Sequence, residues 1–265
     1  MPVAPASDRY WRVEGGTDPG GDADERSRRR RGRRRVYLVV VLVGLIVFLV
    51  DSGNALIAPT VVRFRLADPD VFGHGVYAFS DTSRGQPVTF SSCRSVRVVV
   101  NDELRPRGGE GVVEQAVAAA SAASGLAMTI VGSTDELPSS DRALEQSRYG
   151  QGWAPVLISW SSPDVTPALA GSRIGQGGPR GFTPSTGPVF VTGQVSLDTP
   201  QLEELLDHGR VDEVRAVVMH ELGHVLGLAH VDSPFELMSS ESHGLTEYGP
   251  GDLAGLARLG EGPCV

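Results

Sequence analysis

The sequence predicts an α+β globular domain behind one transmembrane helix. Three observations point there: short β-branched runs that precede and follow helix-forming stretches, a hydrophobic content of 40% over 265 residues, and an unbroken apolar segment near the start. That length holds one substantial domain with appendages, and that content is enough for a proper core.

The charge is unevenly placed. The formal net charge is -8. Residues 1–35 carry ten Arg and six acids, leaving 14 Arg and 26 acids beyond them, and no residue is Lys. An acidic main domain lacks the clustered basic face that phosphate binding needs, which argues against nucleic acid as a partner. The first 35 residues are polar, charged and broken by Gly and Pro, a composition that predicts a disordered tail.

Val36 to Val50 (VYLVVVLVGLIVFLV) contains no polar face and follows RSRRRRGRRR. Its fifteen residues would cover about 22 Å as a helix, against a hydrocarbon core of about 30 Å, so flanking residues must contribute. The reading adopted is an uncleaved signal anchor over residues 36–55, with the Arg cluster holding the N-terminus in the cytoplasm and the rest of the chain outside. A cleaved signal peptide stays open, since Ser52-Gly53-Asn54-Ala55 imitates a cleavage site. Residues 56–90 read as a linker leading into the domain, and residues 91–265 as the domain itself.

Within it, Val96 to Val100 suits a buried strand. Gly111 to Ser124 is rich in helix formers and is closed by Gly125. Leu126 to Val131, Val156 to Trp160 and Val189 to Val195 read as further strands, and two helical stretches follow. Ser161 to Pro188, dense in Gly, Pro and Ser, is expected to be a long surface loop. The only two cysteines, Cys93 and Cys264, are most simply a disulfide in an exported chain. The alternative makes Cys93 an inhibitory thiolate and leaves Cys264 unpaired.

The most informative stretch is Val211 to Leu226 (VDEVRAVVMHELGHVL), an amphipathic pattern that predicts a well-buried helix. His220 and His224 are four residues apart, so their imidazoles leave one face one turn apart, as two zinc ligands require. Glu221 beside them can reach a water at the metal without taking a ligand position, which suits a general base. Gly227 can take positive φ and turn the chain so that His230 returns as third ligand. The full segment, HELGHVLGLAH, matches HExxHxxGxxH at five fixed positions within eleven residues.

That segment resembles the metzincin zinc metallopeptidases, and residues from about 75 to 265 look like bacterial matrixin-like members. The resemblance implies a mixed twisted sheet, an active-site helix and a C-terminal helix. It assigns Met238, in PFELMSS, to the methionine turn beneath the metal. It further implies an edge strand, here Val189 to Val195, that pairs with an extended peptide substrate, and a pocket wall from Ser239 to Tyr248. The activity implied is zinc-dependent hydrolysis of peptide bonds in extracytoplasmic proteins or peptides, with Glu221 as base; the alternative is a zinc-bearing module that holds peptides without cutting them. Ser240 stands where astacin-like and serralysin-like enzymes place Tyr, and Val231 departs from the Ser common after the third His in animal matrixins. Gly132 to Asp135 and Ser161 to Asp164 are candidate positions for structural Ca2+. His74, His208 and His243 read as ordinary solvated or hydrogen-bonded histidines.

Overall fold

The computed structural model describes Trp11, Arg12 and residues 75–265. The apolar segment 36–50 and His74 lie outside the described residues. No described helix is long and apolar enough to cross a membrane.

The strands are β1 (Trp11–Arg12), β2 (Ala78–Phe79), β3 (Thr82–Ser83), β4 (Gln86–Pro87), β5 (Val96–Asn101), β6 (Met128–Ser133), β7 (Val156–Ser161), β8 (Arg173–Phe182), β9 (Val189–Asp198) and β10 (Leu228–Ala229). The helices are α1 (Val112–Ser124), α2 (Thr199–Asp207), α3 (Val211–Leu226) and α4 (Pro250–Gly260). The main sheet runs in the order β1-β8-β9-β7-β5-β6. β6, β5, β7 and β9 are mutually parallel, while β8 is antiparallel to β9 and β1 antiparallel to β8. The expected α+β class with a mixed sheet is therefore present.

Strands buried on both faces need apolar residues at every position rather than at alternate ones. β5 (VRVVVN) and β7 (VLISWS) approach that composition: Val98, Leu157 and Ile158 are fully buried and Val99 nearly so. On one face of the sheet, Val98, Ile158, Val195 and Leu197 join Val113, Ala116 and Val117 of α1 and Val214, Val217, Val218 and Leu222 of α3 in one core. α1 ends at Gly125, whose φ of 73° is left-handed and whose N–H donates to the Ser121 carbonyl. α3 spans Val211–Leu226, the range its hydrophobic pattern predicts.

Two expectations are corrected. The segment from Ser161 to Pro188 is not one long loop, because ten of its residues form β8. Consequently the long strand that ends the sheet beside α3 is β8, with only the two residues of β1 paired outside it, and Val189 to Val195 belongs to β9, an interior strand between β8 and β7. The strand RIGQGGPRGF has Ile174 as its one β-branched residue and shows no alternation, so its pairing comes from tertiary packing rather than propensity. α2 also went unread, although Asp198 caps it by accepting from the Gln201 N–H and Pro200 sits in its first turn.

Cys93 and Cys264 are bonded, with Cα atoms 5.1 Å apart, tying the approach to β5 to the C-terminus. Residues 75–90 are built into the domain: β2 pairs with β10 just beyond α3. On the opposite side, buried Arg142 holds residues 134–155 to the sheet. It binds both carboxylate oxygens of Glu136 at 2.8 and 2.9 Å, and donates to Thr192 Oγ1 and the Pro155 and Gly193 carbonyls. Burial raises the Glu136 pKa, but hydrogen bonds from Arg142, Gln146 and Tyr149 outweigh it and hold the carboxyl below its usual value.

Candidate metal centre

α3 lies under β8 with its C-terminal half wholly buried, and that half carries His220, Glu221 and His224. At Gly227 the backbone takes φ 122°, a conformation that side chains with a Cβ rarely adopt, and the chain leaves the helix. β10 then returns His230 to face the helix, where its Nε2 lies 3.1 Å from the Nε2 of both His220 and His224. All three predicted ligands thus come together. They are the one group of three or more His, Cys, Asp or Glu side chains among the described residues that could hold a metal ion.

The other ring nitrogens set the tautomers. His220 Nδ1 lies 2.6 Å from the Leu237 carbonyl and His224 Nδ1 2.9 Å from the Leu228 carbonyl. A carbonyl only accepts, so both Nδ1 atoms carry the proton and both Nε2 atoms present lone pairs inward. Burial, and then the charge of His230, pushes the His220 pKa down to about 3. Zinc bonds of about 2.0 to 2.1 Å in tetrahedral geometry place ligand atoms roughly 3.3 Å apart, close to the spacing seen.

Glu221 completes the site. Its side chain is fully buried, and neither carboxylate oxygen has a hydrogen-bond partner. Burial raises its pKa well above the ordinary value, against a smaller easing by the nearby Gly177 N–H, which falls short of hydrogen-bond geometry with it, and by the Arg173 charge. An orphaned buried carboxylate is costly unless a water or ion meets it. Three converging imidazole Nε2 atoms beside such a carboxylate fit a zinc ion with a water.

Two close approaches shape this arrangement and were not read from the sequence. A Cβ on Gly175 would stand 2.8 Å from Glu221 Oε1, and one on Gly177 would stand 2.5 Å from the Glu221 backbone carbonyl oxygen. The glycines of β8 therefore let the strand lie directly on the turn of α3 that carries Glu221. A Cβ on Gly223 would stand 2.5 Å from Met238 Sδ, so the glycine inside HELGH is what allows Met238 to pack beneath the histidines. Met238 is buried. In the predicted pocket wall, Tyr248 donates its hydroxyl proton to the Met219 carbonyl, and Arg215 holds the Thr246 carbonyl and the Glu247 carboxylate. His208 bonds the Glu204 carbonyl at the end of α2, and His243 is exposed; neither joins the site.

No protein-family model matches this chain, and no curated protein does. Among solved structures it matches the crystal structure of archaemetzincin from Methanopyrus kandleri at 19% identity, over 68% of this chain and 98% of that one, with a TM-score of 0.38.

Proposed function

We propose that this protein is a zinc-dependent endopeptidase of the metzincin type. The observation that carries the reading is the orphaned Glu221 carboxylate beside three converging histidine Nε2 atoms. Zinc held by His220, His224 and His230 would supply Lewis acidity to the scissile carbonyl and lower the pKa of a bound water. Glu221, buried and with a raised pKa, is poised to take the proton of that water and pass it to the leaving amine.

Substrate geometry follows from β8. It already accepts an antiparallel strand on its outer edge, since Trp11 pairs with Gly175 and Arg12 with Arg173. A peptide in the same position would run beside Gly175 and Gly177, against the Glu221 carboxylate, held by backbone hydrogen bonds. Extracytoplasmic placement rests on the apolar run behind its Arg cluster, and we propose a single-pass protein with its catalytic domain outside.

The test is zinc content and cleavage of a peptide library by the full-length protein in detergent, wild type against Glu221→Ala. One zinc per chain in both, with cleavage by wild type only, supports the peptidase. Zinc in both with cleavage by neither would favour the peptide-holding module, and no zinc would overturn the metal site.

A further inference from the structure

The turn that carries Met238 is fastened to α4 by two buried carboxylates that point in opposite directions. Glu236 Oε2 accepts the N–H groups of Gly251 and Asp252 at 2.8 and 3.1 Å, meeting the positive end of α4. Asp252 points back: its Oδ2 accepts from the Leu237 and Gly249 N–H groups, and its Oδ1 accepts from the Met238 N–H at 3.3 Å. Asp252 is fully buried and Glu236 almost so. Two close carboxylates out of water are expensive, and ordinary packing would not require them.

The peptide group between Leu237 and Met238 has both ends engaged. Its N–H donates to Asp252 Oδ1, and its carbonyl accepts the Nδ1–H of His220. We infer that Asp252 is a positioning residue for the metal ligand His220, acting through this one peptide group, with Glu236 holding Asp252 in place. The negative charge polarises the peptide, the carbonyl becomes a stronger acceptor, and the His220 Nε2 lone pair becomes a better donor. A carboxylate bonded directly to a ligating histidine does the same work; here one peptide unit stands between them.

The inference rests on the zinc reading above, and its test separates the two. Zinc affinity is measured by chelator competition for the full-length wild type, D252N and E236Q, each first shown to be folded by near-ultraviolet circular dichroism. The visible spectrum of the cobalt-loaded proteins is recorded in parallel. Both substitutions remove one charge from the same buried pair, so a role in packing or general field strength moves both variants alike. The relay predicts asymmetry: D252N should bind zinc at least about tenfold more weakly, with a shifted cobalt band. E236Q keeps an amide oxygen for the two N–H groups it holds and should change affinity less than about threefold. Equal effects, or an unchanged D252N, overturn the relay, whereas a wild type that binds no zinc overturns the metal reading and the relay with it. If D252N does not fold, labelled zinc-loaded wild type decides. The Met238 amide proton should exchange slowly and couple to the Asp252 carboxyl carbon, and absence of that coupling overturns the relay.

Discussion

Gly177 and Glu221 touch across the junction of β8 and α3 so closely that a Cβ on Gly177 would fall 2.5 Å from the Glu221 backbone oxygen and 2.9 Å from its Oε2. No rotation of a flexible side chain relieves contact with backbone, so Gly177→Ala must push the strand off the helix. The expected result is a fall in kcat/KM of about a hundredfold, the scale on which a displacement near 1 Å acts. Zinc content should stay at wild-type level, because the three histidines proposed to hold the metal lie elsewhere. Loss of zinc in Gly177→Ala would show instead that β8 is needed to hold the metal site together.

Gly223 and Met238 give a second, coupled case. Gly223→Ala should destabilise the protein by about 1 to 3 kcal/mol, the usual cost of overpacking. Combined with Met238→Ala the added methyl occupies space the sulfur has left, so the double variant should be more stable than the sum of the single changes implies. Urea unfolding of the four proteins checks this, and strict additivity would refute the contact.

Arg142 is nearly fully buried and opposes Glu136. Arg142→Met should cost roughly 3 to 5 kcal/mol, since it leaves a buried carboxylate without its counter-charge. Changing both residues to apolar ones of similar size should recover much of that loss. Thermal unfolding of the single and double variants distinguishes the outcomes, and a mild single variant would mean that water reaches Glu136.

The pH dependence of stability should carry the mark of Asp252. Burial chiefly, with the charge of Glu236 adding to it, raises its pKa from 3.8 to about 6 against three backbone N–H groups that lower it. The folded state therefore binds this proton more tightly than the unfolded one. Its contribution is fully present below pH 3.8 and is lost as the pH rises through about 6. Relative to D252N, metal-free wild type should gain about 3 kcal/mol between pH 7 and pH 3.5. Parallel stability curves in urea would contradict the raised value.

The grouping of His220, His224 and His230, the place of Glu221 beside them, the turn at Gly227 and the disulfide were legible because each depends on residue type at fixed local spacing. His220, Glu221 and His224 sit on one helix, and its hydrophobic pattern is strong enough to fix both ends. β8 was not legible. Its glycines look like a loop because their reason lies in Glu221, more than forty residues later, and nothing local records that contact. Asp252 and Glu236 were missed similarly: buried carboxylates are rare, and only the folded chain shows that each meets the backbone of the other's segment. The error over the sheet margin followed from the first omission, since without β8 the strand Val189–Asp198 stands last in line.

The pairing of Trp11–Arg12 with β8 and a membrane span at residues 36–50 exclude one another in the same molecule. A single crossing would put residues 11 and 12 on the opposite face of the membrane from β8. With the proposed topology, insertion draws β1 off the strand and frees the edge beside Glu221 for a peptide. Protease added outside intact cells should then digest the catalytic domain and leave an N-terminal tag protected, and deleting residues 1–14 should leave cleavage activity unchanged. If the tag and the domain are digested together, the two lie on one side, and β1 occupies the substrate edge. In that case the same deletion should raise activity, because the competing strand is removed.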